Sequence, residues 1–350
     1  MLIRERLESA EQANLSAFAA LSVNSAGRRR PEPPCPVRTC YQRDRDRIIH
    51  LCRAFRRLAH KTQVFISPRE DHLRTRLSHT LEVAQIARTV AKALRLNEDL
   101  TEAIALAHDV GHTPYGHSGE AALDHAYRRY DPQACFSHQL HSLRVVEELE
   151  RDGAGLNLTR ETLRGITEHS KGEANLADVL AAGPSSSLEA LVVSVSDRIA
   201  YLNHDLDDCL RAGLLTPDEL PIEVASVLGS SHSARVGTMV TDLIEHSVNQ
   251  PGLQMSPRVL KATDALKREM FESIYLRAEL LEDAQKVNGI IGGLFDVYMA
   301  TDTALRDSCG RVPTGHTQRA RLVCDYIAGM TDRFATHQYS RHFLPSSFPY

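Results

Sequence analysis

Residues 106–120 read Leu-Ala-His-Asp-Val-Gly-His-Thr-Pro-Tyr-Gly-His-Ser-Gly-Glu, and this stretch decides the fold. Ahead of it, Asn97 stands where a helix N-cap belongs, followed by Leu100, Ala103, Ile104 and Ala107 at three- and four-residue steps. The spacing predicts a helix that runs into His108-Asp109 and is closed by Gly111. Adjacent His and Asp at a helix end can both ligate one divalent ion, because imidazole and carboxylate suit a borderline metal. Pro114 and Gly116 force a tight loop, and Ser118 is predicted to cap the helix that follows.

A His-Asp pair alone is a common accident, so the neighbouring helices carry the weight. Upstream, Leu77, Leu81, Ala84, Ala87, Ala91 and Leu94 mark one helical face, with His79 near its start. Downstream, Leu188, Val192, Val195, Ile199, Leu202, Leu206 and Cys209 mark a long helix from Ser187 to about Arg211. Asp197, Tyr201 and Asp205 step by four along a second stripe of that helix. His79, His108, Asp109 and Asp197 then offer two nitrogens and two carboxylates from three helices, and leave coordination positions open for water and substrate.

The rest of the chain reads as helical. Alternating strand patterns are rare, with Thr62-Gln63-Val64-Phe65-Ile66 a candidate short strand or hairpin arm, so the fold class is all-α with at most a short β-hairpin. Thr216-Pro217-Asp218-Glu219 has the form of a capping box. Loops are expected at 183–187 and 229–233. Three segments follow: a flexible N-terminal arm over 1–40, a catalytic helical domain over 41–228, and a C-terminal helical region over 229–350 that packs on it. Packing helices are expected there at 240–247 and 270–281.

Among 350 residues, 42% are hydrophobic and 25% charged, and the net charge of -4 excludes a global basic field for nucleic acid. Phosphate binding has to come from local arginines. The seven cysteines are odd in number, scattered and without a C-x-x-C pair, which argues against a disulfide framework or a cysteine zinc site. Without an apolar run at the N-terminus or a long uncharged apolar span, the chain is expected to be cytoplasmic and to engage no membrane. Arg28-Arg29-Arg30 beside Pro31 reads as a solvated arm that offers single-stranded nucleic acid only a small foothold. Asp44 and Asp46, interleaved with Arg43, Arg45 and Arg47, read as an ion-pair network as readily as a phosphate site. His60, His232, His246 and His337 are read as structural or surface residues.

Several longer words then become recognisable: Arg43-Asp44-Arg45-Asp46-Arg47-Ile48-Ile49-His50, Ala54-Phe55-Arg56-Arg57-Leu58, Lys61 to Phe65, Ala107 to Glu120, Asp197 to Asp205, and Asp325 to Phe334. The H…HD…D set is the signature of the HD superfamily. The flanking words resemble the deoxyguanosine triphosphate triphosphohydrolase family, over residues 27 to 345 and closest to its bacterial triphosphohydrolase-like branch. The resemblance implies an HD-domain helical fold with an added C-terminal helical region. It also implies a hydrolase that attacks the α-phosphorus of a dNTP with water, releasing deoxynucleoside and inorganic triphosphate.

Roles follow by the same resemblance. His79, His108, Asp109 and Asp197 match metal ligands, and His117 matches a catalytic histidine. Glu120 lies three residues on, where it can orient that imidazole. His112 and His138 line the phosphate pocket, and Arg76 and Arg198 grip the triphosphate. Gln63 and Asp205 match positions that bind the sugar 3'-hydroxyl, and Tyr201 is placed to press on the deoxyribose and disfavour a 2'-hydroxyl. The ligand set does not choose among metals; Mn2+ and Mg2+ are expected first, with Fe, Co, Ni and Zn as alternatives. Family members form homo-oligomers, and some are activated by a second dNTP between subunits. Two rival readings keep the same residues: an HD phosphohydrolase acting on nucleoside monophosphates or cyclic nucleotides, and a binder of nucleotides or single-stranded DNA without turnover.

Overall fold

The protein is all-helical in the computed structural model, which describes residues 1–64, 73–170, 174–184, 186–275, 277–310 and 312–345. Helices α1 (Ile3–Asn14), α2 (Cys40–Leu51) and α3 (Arg53–Arg57) lead into α4 (Arg76–Ala93), α5 (Glu98–Ala107), α6 (Gly116–Tyr130) and α7 (His138–Arg144). Then come α8 (Arg160–Glu168), α9 (Leu176–Ala182), α10 (Leu188–Arg211), α11 (His232–Ser247) and α12 (Pro257–Met270). The chain closes with α13 (Ala278–Ala300), α14 (Asp302–Cys309), α15 (His316–Ala328) and α16 (Asp332–Phe343). Among the described residues, β pairing is limited to two isolated bridges, Arg28 with Thr159 and Thr62 with Thr75. Residues 65 and 66 of the expected hairpin arm lie outside the described residues.

Local rules explain where the site helices start. The Thr75 hydroxyl accepts from the Ser78 amide at the head of α4, the Asn97 side chain from Leu100 N at α5 (3.2 Å), and Ser187 from Ala190 N at α10 (3.1 Å). The apolar stripe of α10 is buried throughout, and it packs against α4, α5, α8 and α11. Each such leucine contributes about 2–3 kcal/mol by leaving water.

Two apolar cores result. One joins α2, α4, α5, α8 and α10 and continues through Met239, Leu243, Val259 and Leu266 of α11 and α12. The loop at 229–233 therefore does not separate two cores. The second core joins Leu123 and Ala126 of α6 to Ile291, Leu294 and Phe295 of α13, Val323 and Ile327 of α15, and Ala335 of α16. Helix α6, which follows the His-Asp turn, is thus the element on which the C-terminal helices sit.

Several expectations need correction. Residues 3–14 of the expected arm form a helix, and the Arg28 guanidinium pairs with the fully buried Asp44 and donates to Cys40 O (2.8 Å). Asp44 also accepts from Thr159 Oγ1 (2.6 Å) and Thr162 Oγ1 (2.8 Å), so this arginine is a structural counterion and not a solvated one. The Thr216 box forms its bonds but caps only a single 3-10 turn, because Pro221 follows within four residues and cannot continue a helix. Helix α6 begins at Gly116 with Tyr115 at its N-cap in a left-handed conformation (φ 62°), which leaves Ser118 inside the first turn. The segment 270–281 is not one helix: α12 ends at Met270, and a five-residue wide turn precedes α13. Among the described residues no helix is long and apolar enough to cross a membrane.

Candidate metal centre

Helix α5 ends at Ala107, short of the expected run into His108-Asp109, so both residues lie in the turn just past its end. Gly111 does not cap that helix. Its job is close approach: a Cβ there would stand 2.1 Å from Ser142 N and 2.6 Å from His138 O. The bare backbone lets α7 dock, and Ser142 locks it by accepting from Gly111 N (2.9 Å) and donating to His108 O (2.8 Å). One glycine thereby brings His138 beside the His-Asp turn.

Three helices deliver the expected ligands to one place. His79 Nε2 lies 3.0 Å from Asp197 Oδ1, and His108 Nε2 lies 3.7 Å from the same oxygen and 3.5 Å from Asp109 Oδ1. One donor atom each from His79, His108 and Asp109 falls within 4.8 Å of the others, as a metal site requires. His108 Nδ1 sits 2.6 Å from Ala105 O and must carry the proton there, which leaves Nε2 a lone pair. That buried Nε2 has no hydrogen-bond partner, nor has His79 Nδ1. Unpartnered buried nitrogens cost free energy unless something else uses them. The donor set and its orphans fit a divalent ion.

The electrostatics agree. Burial pushes the Asp197 carboxyl up, but the His79 bond and the His108 and His79 charges outweigh it and hold it well below the usual range. Asp109 is likewise held low against burial by His108, His112 and Arg76. Both carboxylates are therefore anionic at neutral pH. Burial, then Arg76 and His138, push the His112 imidazole far down, so it stays neutral.

Arg76 lies against this centre. Its Nη1 donates to Asp109 Oδ2 (2.7 Å), its side chain is 2% exposed, and its Nε and Nη2 are buried without partners. Gly116, at φ 60°, makes room: a Cβ there would sit 3.2 Å from Nη2. On the far side, the His112 ring stacks on His138 at 4.0 Å, and His117 stands 5.3 Å from His112. Glu120 holds His138 more tightly than the expected His117. It lies 2.9 Å from His138 Nδ1 and accepts from His138 N (2.7 Å), against 3.4 Å to His117 Nδ1. The His117 side chain is 76% exposed.

The sugar-side candidates share α10 with Asp197. Arg198 lies over the Tyr201 ring at 5.9 Å and donates to Ala174 O. Burial pushes the Tyr201 hydroxyl up to about 12, so the phenol stays protonated. Asp205 is buried on the same helix, and the Gln63 side-chain oxygen is buried with no partner. Sequence reasoning missed two histidines. The His204 ring packs edge-on to His79 at 5.7 Å and stacks on His232 at 5.5 Å. His169, just past α8, packs 5.0 Å from His108 and 5.5 Å from His138. Its only sequence signal is position: it stands three residues after an apolar Ile166 at a helix end, as His108 stands three after Ala105.

Residues 76–202 match the HD domain family, and residues 253–341 match the phosphohydrolase-associated domain family. A protein of Caldanaerobacter subterraneus subsp. tengcongensis is 48% identical over 99% of this chain and 97% of its own length. One of Desulfatibacillum aliphaticivorans is 46% identical over 99% of both, and one of Clostridium perfringens strain 13 is 40% identical over all of both. Each is called a deoxyguanosinetriphosphate triphosphohydrolase-like protein.

Proposed function

The chain belongs to the deoxyguanosinetriphosphate triphosphohydrolase-like family of HD-domain proteins, and from that premise we propose that it cleaves dNTPs to deoxynucleoside and inorganic triphosphate. The observation that carries this reading is Arg76. A buried guanidinium with two unpartnered nitrogens, set against a metal-ligand carboxylate, is costly unless an anion completes it. A phosphate oxygen beside the metal centre supplies that anion, and the planar fork suits it.

A divalent ion held by His79, His108, Asp109 and Asp197 would supply Lewis acidity to a phosphate oxygen and lower the pKa of a nearby water. The chain's own residues do the rest. Arg76 and Arg198 hold the phosphates in line. His117, exposed and with its Nδ1 toward Glu120, presents Nε2 to the departing 5'-oxygen and gives it a proton. Glu120 anchors the pair: burial raises its carboxyl, but bonds from His117 and His138 hold it far below the ordinary range, so it stays charged. His112 and His138 line the phosphate side. Tyr201, Asp205 and Gln63 read the sugar.

Metal-loaded protein would be incubated with each dNTP, alone and mixed, with Mn2+, beside an Asp109→Ala control, and products separated by chromatography. Deoxynucleoside plus intact triphosphate, absent from the control, is the expected result. Monophosphate plus pyrophosphate would refute attack at the α-phosphorus with loss of the nucleoside.

A further inference from the structure

We infer that the segment joining α1 to α2 is a proton-dependent latch: it closes on the first turns of α5 and α10 when the buried Glu189 side chain is neutral, and loosens as that side chain ionises. Polar contacts carry much of the attachment, since Phe18 and Val23 of the segment stay 43% and 49% exposed. Glu189, in the first turn of α10, is fully buried, and its Oε1 accepts from both Ala20 N (2.8 Å) and Asn97 N (3.0 Å). Asn97, the cap of α5, returns a bond from Nδ2 to Ala20 O (3.0 Å). Glu11 of α1 accepts from Ser22 N (2.7 Å) and Ser22 Oγ (2.8 Å). One carboxyl group therefore ties the segment to two helices at once.

The surroundings of Glu189 suit the acid better than its anion. Its Oε2 is buried with no partner, and among the described residues the side chain forms no ion pair. A carboxylate without counterion or solvent is costly, and a proton removes that cost. The groups gathered here add no positive charge. Glu11 comes from α1, Asp99 from the first turn of α5, and the Tyr41 phenol of α2 is pushed up by burial, then by Glu161, Cys40 and Glu189. The cations at this end are engaged elsewhere. Arg45 pairs with Asp99 (2.8 Å) and Glu102 (3.1 Å), Arg95 turns to Asn249 (3.3 Å), and Arg4 pairs with Glu8.

The sign follows. Burial raises the Glu189 carboxyl above its ordinary 4.5, against the bonds from Asn97 and Ala20. Burial raises Glu11 in the same way, against the bonds from Ser22. A group whose value is higher when the latch is closed than when it is open binds its proton more tightly in the closed state. Closure is then firmest below 4.5 and weakens as pH rises through the raised value. The latch grips the near ends of two helices that matter to the site: α5 leads into the His-Asp turn, and α10 carries Asp197.

The test reads the segment itself and needs neither metal nor substrate, so it stands apart from the proposed activity. Hydrogen–deuterium exchange of the full-length, metal-free protein would be followed by mass spectrometry from pH 5 to 8, corrected for the intrinsic pH dependence of exchange. Protection of residues 15–24 should fall by at least about tenfold across that range, and by at most about tenfold per pH unit for each group that titrates, while residues 320–328 of α15 serve as reference. Glu189→Gln keeps an acceptor for Ala20 N and Asn97 N but cannot ionise, so the fall should shrink, and Glu189→Gln with Glu11→Gln should abolish it. Protection of 15–24 in the unaltered protein that tracks the reference at every pH would overturn the inference, whether or not the variants fold. So would an undiminished fall in a folded Glu189→Gln protein.

Discussion

Two buried polar regions lie a few residues apart in this fold, and they differ in what they leave over. The candidate metal centre carries nitrogens with no partner: His79 Nδ1, His108 Nε2, and Nε and Nη2 of Arg76. Behind it, the contact between the His-Asp loop and the C-terminal helices is closed. Asp332, at the head of α16, accepts from Thr62 N (2.8 Å), from the Thr62 hydroxyl and from Tyr115 N (2.9 Å). Its carbonyl takes the Tyr115 hydroxyl (3.1 Å). Lys61 Nζ donates to His112 O and to Ala328 O (2.8 Å). Polar groups that saturate each other hold structure; polar groups left open at similar burial are kept for a ligand. The second region also explains how the strained left-handed Tyr115 persists, since both its amide and its hydroxyl are tied to α16.

The sharpest way to break this contrast is to exchange the expected effects. His108→Gln removes a nitrogen with no partner in the chain, so turnover should fall by at least about 10³-fold, a loss of about 4 kcal/mol of transition-state stabilisation. Metal-free stability, read by urea unfolding, should move by no more than about 1 kcal/mol. A large loss of stability would mean the imidazole is structural. Asp332→Ala should do the reverse. Leaving the Thr62 and Tyr115 donors unpaired should cost about 3 kcal/mol in the same unfolding measurement, while the metal content stays unchanged. Loss of metal with intact stability would place Asp332 in the centre.

Lys61 sharpens the contrast through pH. Burial, then nearby Arg57, lowers its amine from an ordinary 10.5 to about 7, because two carbonyls satisfy its protons without supplying a full charge. Between those two values the unfolded chain holds a proton that the folded chain has released. Its contribution to stability therefore rises with pH across that window, by at most about 1.4 kcal/mol per unit, and the full penalty applies below pH 7. Urea unfolding of the unaltered protein and of Lys61→Met, compared from pH 7 to 10, should diverge with that slope. Parallel curves would show that the amine stays protonated when folded.

What the sequence reveals follows from how far apart the partners lie. The α10 stripe, the Asn97 cap and the convergence of His79, His108, Asp109 and Asp197 could be read because each rests on spacing within one helix or on a contiguous word. His169 was not legible: its partners His108 and His138 lie on other elements, and a histidine after Glu168 looks like any helix end. The Thr62–Asp332 contact joins residues 270 apart in sequence, and no local rule pairs them. Where local signals misled, a neighbour overrode them. Pro221 cut short the helix promised by Thr216, and the Tyr115 turn started α6 two residues before Ser118. Arg28 looked solvated beside its prolines, because the buried carboxylate it meets belongs to a helix in the next segment.

Tyr201 stands between the two kinds of residue and gives the smallest and most specific test. Its ring is partly exposed, faces the Arg198 guanidinium, and lies one turn from both Asp197 and Asp205. If it only packs, Tyr201→Ala lowers stability and leaves the preference for deoxy- over ribonucleotides as it was. As a steric filter, the ring disfavours a 2'-hydroxyl in the transition state, and a contact of that kind is worth about 1–3 kcal/mol. The ratio of kcat/KM for a dNTP to that for the matching ribonucleotide should then fall by roughly tenfold, about 1.4 kcal/mol. It should fall because the ribonucleotide gains, since a filter acts by exclusion. A ratio that falls only because the deoxynucleotide loses activity would make Tyr201 a binding surface and not a filter.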